Sequence, residues 1–210
     1  MPEKHENILD EKQINRALAR IAHEILEHNA GAETIAIVGI LTRGAFLARR
    51  IAAIIKKLES VDVPVGLMDI SLYRDDVHSK LDQPIVQRTD ILFGVNDKNI
   101  VLIDDVLFTG RTVRAALNHI TDFGRPRTIQ LAVLVDRGHR ELPIKADYVG
   151  VNIPTAKGDQ VVLQVKEKEG QDRVFVVRGA DSTPAKKSAG KSPVQSKAKK
   201  KPAAKKGGRK

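Results

Sequence analysis

Residues 101–112 read VLIDDVLFTGRT, and the reading of this stretch decides the fold. Ile100–Ile103 is a short apolar run, as a strand buried on both faces requires. Two carboxylates, Asp104 and Asp105, follow it, and Phe108–Thr112 then turns toward a helical pattern over Thr112–Phe123 that Gly124 ends. Backbone N–H groups at the start of such a helix are unpaired, and the helix dipole adds partial positive charge, so the turn is suited to an anion. Thr109 and Thr112 add hydroxyl donors, and Gly110 lets the backbone approach closely. The GxxxxGK[ST] spacing of a P-loop, with its lysine, is absent. Ionised carboxylates only accept hydrogen bonds, so Asp104 and Asp105 ahead of a phosphate cup suit the vicinal hydroxyls of a ribose 5-phosphate. The same residues also suit a plain acidic strand end before a capped helix.

Outward from this stretch, strand and helix patterns alternate. Asp10 predicts a helix start, with Ile14, Leu18, Ile21 and Ile25 as the apolar stripe of a helix over 11–29. Thr34–Leu41 reads as a buried strand, Ala45–Leu58 as a helix, Val63–Tyr73 as an extended strand and Ile129–Val135 as a second buried strand. Shorter strands are expected near 147–151, 160–166 and 173–178, and residues 74–90 read as a mobile polar loop. This alternation predicts an α/β domain with right-handed βαβ units and a mostly parallel sheet. In such sheets ligands sit beyond the carboxyl ends of the strands.

Composition sets outer bounds. The chain has 210 residues and no cysteine, which excludes disulfides, thiolate catalysis and cysteine metal sites and fits a reducing, cytoplasmic setting. The start, MPEKHENILDEK, lacks the apolar stretch of a secretory signal, and no run approaches the roughly 20 apolar residues of a membrane span. Residues 180–210 hold ten lysines, one arginine and one acid, so the whole net charge of +10 lies there. Residues 1–179 carry 25 basic and 25 acidic residues. The division is therefore a folded domain over 1–179 and a disordered Lys/Ala/Pro-rich tail over 180–210. The tail could bind nucleic acid through its phosphates without sequence choice, or be a solvated extension with no partner.

VLIDDVLFTGRT resembles the 5-phosphoribosyl-1-diphosphate (PRPP) signature of type I phosphoribosyltransferases. ILDEKQINRALARIAHEI, VGILTRGAFLARRI, DISLYRDD, VLIDDVLFTGRTVRAAL and IQLAVLVDRGHRELPIKADYVGVNIPT together resemble one branch, the bacterial pyrimidine-operon attenuation regulators that are also uracil phosphoribosyltransferases. The resemblance spans about residues 8–178 and omits the lysine tail. It implies a type I phosphoribosyltransferase fold: a mostly parallel sheet flanked by helices, with a small hood.

The resemblance also implies roles. Asp104 and Asp105 hold the ribose hydroxyls beside a developing cation, while Val106, Leu107, Phe108, Thr109, Gly110, Arg111 and Thr112 form the loop that grips the 5-phosphate. Thr42, Arg43 and Gly44 correspond to a diphosphate loop, Arg43 facing the leaving group and Gly44 permitting an unusual backbone; without the resemblance they read as a strand-to-helix turn. Tyr73–Asp76 and the run to about 90 look like the hood, with Arg74 and Arg88 as diphosphate contacts or solvated arginines. Phe108 stands where purine-specific relatives carry a proton-handling aspartate, which argues for a pyrimidine base; relatives nearer this chain carry tyrosine there. Asp136–Leu142 would form the base pocket, with Arg137 as its side-chain contact and backbone near Val161 completing it; His139 is a catalytic candidate or an ordinary loop histidine.

Magnesium is implied as a substrate-borne ion on diphosphate and ribose oxygens, with no direct protein ligand. The implied partners are PRPP, uracil, UMP, pyrimidine-operon leader RNA and further copies of the chain in a homo-oligomer. On the first helix Arg16, Arg20 and His23 fall at i, i+4 and i+7, a candidate RNA ridge that also reads as a solvated face. Aromatics are only 3%, which weighs against extensive base stacking. Alternatives are an RNA-binding nucleotide sensor with little catalysis, or another salvage phosphoribosyltransferase.

Overall fold

The computed structural model describes residues 5–70 and 89–179. The expected mobile loop, except its last two residues, and the tail lie outside them, as do Arg74 and Arg88.

Helix α1, Glu11–His28, starts where Asp10 predicts. Asp10 Oδ1 accepts from the Gln13 backbone N–H at 2.8 Å, and Gln13 Oε1 accepts from the Asp10 N–H at 2.9 Å, a reciprocal capping box. The stripe Ile14, Leu18, Ile21 and Ile25 is buried, as amphipathic spacing demands. Strand β2, Ile35–Ile40, is buried throughout its length. Helix α2, Arg43–Glu59, begins two residues before its apolar pattern, and β3 is short, Val65–Met68. After it come β4 (Asn99–Leu107), α3 (Arg111–Ile120, followed by a 3-10 turn over Thr121–Phe123), β5 (Thr128–Asp136) and β6 (Tyr148–Asn152).

These strands form a five-stranded sheet, every pair parallel, in the order β3-β2-β4-β5-β6. The apolar side chains form two cores, one on each face. α1 and α2 bury their stripes in the first, and Val113, Ala116 and Ile120 of α3 enter the second. A three-layer α/β architecture results. From β2 the chain steps outward to β3, then crosses back to lay β4 on the other side of β2. The crevice between the carboxyl ends of β2 and β4 is thus the topological switch point, where open α/β sheets bind ligands.

A second, smaller sheet is antiparallel, of order β1-β8-β7, built from β1 (His5–Leu9), β7 (Gln160–Gln164) and β8 (Arg173–Val177); the hood run expected from Tyr73 lies, but for residues 89 and 90, outside the described residues. A four-residue helix, α4 (Lys166–Glu169), joins β7 to β8. Val174, Val176 and Leu163 sink into the α1–α2 side of the main core, which seats this small sheet on the domain.

Candidate active site

Strand β4 carries the acidic pair further inside the sheet than the apolar run alone indicates. The strand does not stop at Ile103: Val106 and Leu107 stay in register with Val135 and Asp136 of β5, so the ladder continues past both acids. Asp104 is buried and Asp105 half-buried. Each turns one oxygen back on the next backbone N–H: Asp104 Oδ1 accepts from Asp105 at 3.0 Å, and Asp105 Oδ1 from Val106 at 2.8 Å. Burial pushes the Asp105 carboxyl up; the Val106 N–H and the nearby Arg43 guanidinium pull against that rise.

Arg43 reaches this pair because α2 packs directly on β4. A Cβ at Gly44 would lie 2.4 Å from the Ile103 carbonyl oxygen and 3.3 Å from Asp104 Cα. Gly44 is an ordinary helical residue of α2, so its requirement is space and not the unusual backbone expected. Thr42 precedes the helix, and the Leu41–Thr42 peptide is cis. Arg43 Nη2 donates to Glu169 Oε1 of α4 at 2.8 Å.

Beyond the acids, residues 107–112 and Glu141 line a cavity of about 270 Å³. Gly110 sits at φ +92°, where a side chain is strained, and a Cβ would also press on Ile144 Cδ1 at 3.3 Å. It starts α3: its carbonyl accepts from the Arg114 N–H at 2.9 Å. The preceding carbonyls are drawn away from the cavity. That of Leu107 accepts from the Arg137 N–H at 3.1 Å, that of Phe108 from Arg140 Nη1 at 2.7 Å, and that of Thr109 from the Glu141 and Leu142 N–H groups at 3.0 and 3.1 Å. With carbonyls tied back, the turn presents its N–H side to an anion. Arg111 Nε donates to Glu141 Oε2 at 2.8 Å, which balances the one carboxylate lining the cup.

The loop after β5 holds the other candidates. Arg137 is buried, with its guanidinium carbon 4.0 Å from the centre of the Phe108 ring. It donates through Nε to Thr155 Oγ1 at 3.2 Å and through Nη2 to the Ala156 carbonyl at 3.0 Å. Burial lowers its proton affinity, and Asp159 acts the other way. His139 Nε2 lies 2.7 Å from the Thr155 carbonyl oxygen, and its ring meets Phe108 edge-on at 6.2 Å. Val161 is half-buried on β7, in register with Val176 of the small sheet.

The structure therefore gathers Arg43, Asp104, Asp105 and residues 106–112 around one crevice, with Arg137 stacked on Phe108 beside it. It sets the α1 ridge apart from that crevice. Arg20 Nη2 donates to the Val149 and Gly150 carbonyls at 3.1 and 2.6 Å, and Nη1 pairs with Glu24 at 2.8 Å, so Arg20 fastens α1 to β6. Arg16 and His23 are exposed on the same helix. Two residues carry more of the site than the sequence revealed. Arg140, within DRGHREL, bonds mostly to backbone carbonyls, which leave no sequence signal, and Glu169 sits on a helix too short to leave a periodic pattern.

Comparison with known proteins agrees with this geometry. The phosphoribosyl transferase domain family matches residues 4–168. A protein of Roseiflexus sp. (strain RS-1), "Bifunctional protein PyrR", is 56% identical over 172 residues, which are 81% of this chain and 94% of the relative. Its namesake from Deinococcus radiodurans is 57% identical over 167 residues, 80% of this chain and 91% of the relative. Among solved structures, the HGPRT-ase of Leishmania tarentolae in complex with GMP superposes with a TM-score of 0.64 at 18% identity, covering 86% of this chain and all of that one. The hypoxanthine phosphoribosyltransferase of Trypanosoma cruzi, in complex with IMP, gives 0.61 at 19%, covering 84% and 91%. These two establish the fold only. The extent of the match and the identity to the curated relatives place the assignment beyond fold: this chain belongs to the PyrR family of phosphoribosyltransferases.

Proposed function

We propose that the protein converts uracil and PRPP to UMP and diphosphate, and that UMP-dependent binding to pyrimidine-operon leader RNA lets it regulate that operon by transcription attenuation. The observation that carries the catalytic half is the meeting of an acidic pair, an anion cup and Arg43 at the switch point between β2 and β4. The bond from C1 of the ribose to the diphosphate oxygen breaks, that oxygen keeps the electron pair, C1 bonds to N1 of uracil, and the N1 proton passes to water. The sugar passes through an oxocarbenium-like state. Asp104 and Asp105 accept from its hydroxyls and stabilise the positive charge. Residues 109–112 anchor the 5-phosphate, so that C1 alone moves.

Among the described residues, no group of three or more His, Asp or Glu side chains could hold a metal ion. A pair of carboxylates at the ribose position fits a magnesium ion that arrives on the substrate. Asp104 and Asp105 are the residues that would lie beside such an ion, which would supply positive charge to offset that of the departing diphosphate. Phe108 offers no proton acceptor, which favours a pyrimidine over a purine. Arg137 and backbone near Val161 remain the proposed base contacts.

For regulation, the proposed core contacts are Arg16 and His23, with Arg20 largely committed to β6. The tail adds phosphate affinity without sequence choice. We place the protein in the cytoplasm as a homo-oligomer; no helix among the described residues is long and apolar enough to cross a membrane.

Two measurements test the reading. Incubation with PRPP, Mg²⁺ and each base in turn should yield UMP from uracil at a rate at least about 100-fold above any nucleotide from hypoxanthine. Equal use of the purine, or no UMP, would overturn the substrate assignment. In a salt titration of leader-RNA binding, deletion of 180–210 should flatten the slope of log K against log salt and keep the UMP-dependent preference for the leader. Loss of that preference with the tail removed would show that the core does not read RNA.

A further inference from the structure

We propose that Glu169 is a positioning residue for Arg43, aiming its guanidinium at the departing diphosphate; this rests on reading Arg43 as a diphosphate contact. Both Glu169 oxygens are committed. Oε2 accepts from the Val165 backbone N–H at 2.8 Å, and Oε1 accepts from Arg43 Nη2 at 2.8 Å. A carboxylate pinned from behind by its own backbone is a rigid post. Because a guanidinium is planar, fixing one nitrogen orients the rest.

The α4 turn that carries Glu169 is anchored independently of Arg43. Arg50, two turns further along α2, donates to Glu167 through Nε at 2.8 Å and to both oxygens of Asp172 at 2.8 Å. Asp172 also accepts from the Lys166 N–H at 2.7 Å. These contacts suffice to hold the β7–β8 turn on α2, which leaves the Glu169–Arg43 contact free for another purpose.

Arg43 itself is held without being saturated. Its Nε is buried and finds no hydrogen-bond partner among the described residues. Buried donors are rarely left unpaired, and an acceptor brought by the substrate is one account of this exception. Helix α2 packs on β4 at Gly44, next to Arg43, and the acidic pair is close enough for the Arg43 charge to act on Asp105. Glu169 thus keeps Arg43 directed into the crevice while partly neutralising it before substrate binds.

The test uses the full chain and two inhibitors competing with PRPP: inorganic diphosphate, and ribose 5-phosphate as the control that lacks the leaving group. Glu169→Ala should lower kcat about tenfold and weaken inhibition by diphosphate about tenfold, the scale of one charge-assisted hydrogen bond. Inhibition by ribose 5-phosphate should stay within about twofold, because no α4 residue lines the cup. Glu169→Gln keeps one acceptor oxygen for Nη2 but turns its NH2 toward the Val165 N–H, so it should recover kcat only in part, to a value between Glu169→Ala and wild type. Thermal unfolding of both variants should stay close to wild type, since Arg50 still holds the turn. Equal weakening of both inhibitors, or wild-type kcat in Glu169→Ala, overturns the positioning role. If Arg43→Ala leaves inhibition by diphosphate unchanged, the reading of Arg43 itself falls, an outcome distinct from a crippled Arg43→Ala beside a normal Glu169→Ala.

Discussion

Replacing both Asp104 and Asp105 with asparagine will lower UMP formation by at least about 100-fold, the loss typical of groups that stabilise developing charge. The substitution isolates charge from architecture. Each carboxylate uses one oxygen to accept the following backbone N–H, and an asparagine Oδ1 can accept the same bond. Both residues lie inside β4 between paired positions, so strand and register have no reason to change. Burial already opposes the charge on Asp105, so a neutral amide there is tolerated by the fold. What the asparagines cannot supply is negative charge beside a ribosyl cation. The loss should fall mainly on kcat, with the KM for PRPP moving less, because the 5-phosphate and diphosphate grips remain. Cooperative unfolding near the wild-type temperature combined with wild-type turnover would remove the acidic pair from the mechanism.

Much of this site was legible in the chain because its parts are local. The acids, the hydroxyls and the glycine of the cup lie within residues 104–112, and strand-turn-helix chemistry writes its own pattern. The parallel sheet was legible for the same reason, since β2, β4 and β5 are compact apolar runs between helical stretches. What stayed hidden is non-local. Strand β1 depends on pairing of His5 and Asn7 with Val177 and Phe175, which are remote in sequence. Arg43 and Glu169 are 126 positions apart, so nothing in either neighbourhood announces the other. The extension of β4 through two carboxylates was hidden differently: charged residues read as a strand end, yet the ladder to β5 outweighs their low strand propensity.

Arg140 is the hidden residue with the largest expected effect, because its acceptors are mostly backbone carbonyls, which leave no mark in a sequence. Its Nη1 donates to the carbonyls of Phe108 at 2.7 Å, Gly138 at 3.1 Å and, more weakly, Leu107 at 3.4 Å. Nε donates to the Ile144 carbonyl at 3.0 Å, and Nη2 pairs with Asp136 Oδ2. One planar side chain thereby binds the end of β4, the end of β5 and the loop behind the cup. Without it the Phe108 carbonyl is free to swing toward the cavity, where its partial negative charge would meet the phosphate. Arg140→Ala should therefore destabilise the fold by about 3 kcal/mol, as expected when a half-buried charged hub is removed. It should also reduce kcat/KM for PRPP about 100-fold, equivalent to about 2.7 kcal/mol of transition-state stabilisation. Arg140→Lys should recover little, since an ammonium is a point donor on a flexible stem and cannot reproduce a fork that reaches three segments at once. Steady-state kinetics with PRPP, paired with inhibition by inorganic phosphate, distinguish a damaged cup from general loss of stability: weakened phosphate inhibition in protein that remains folded at the assay temperature is the expected result. A lysine variant with wild-type kcat/KM would mean that the cup keeps its shape without the fork.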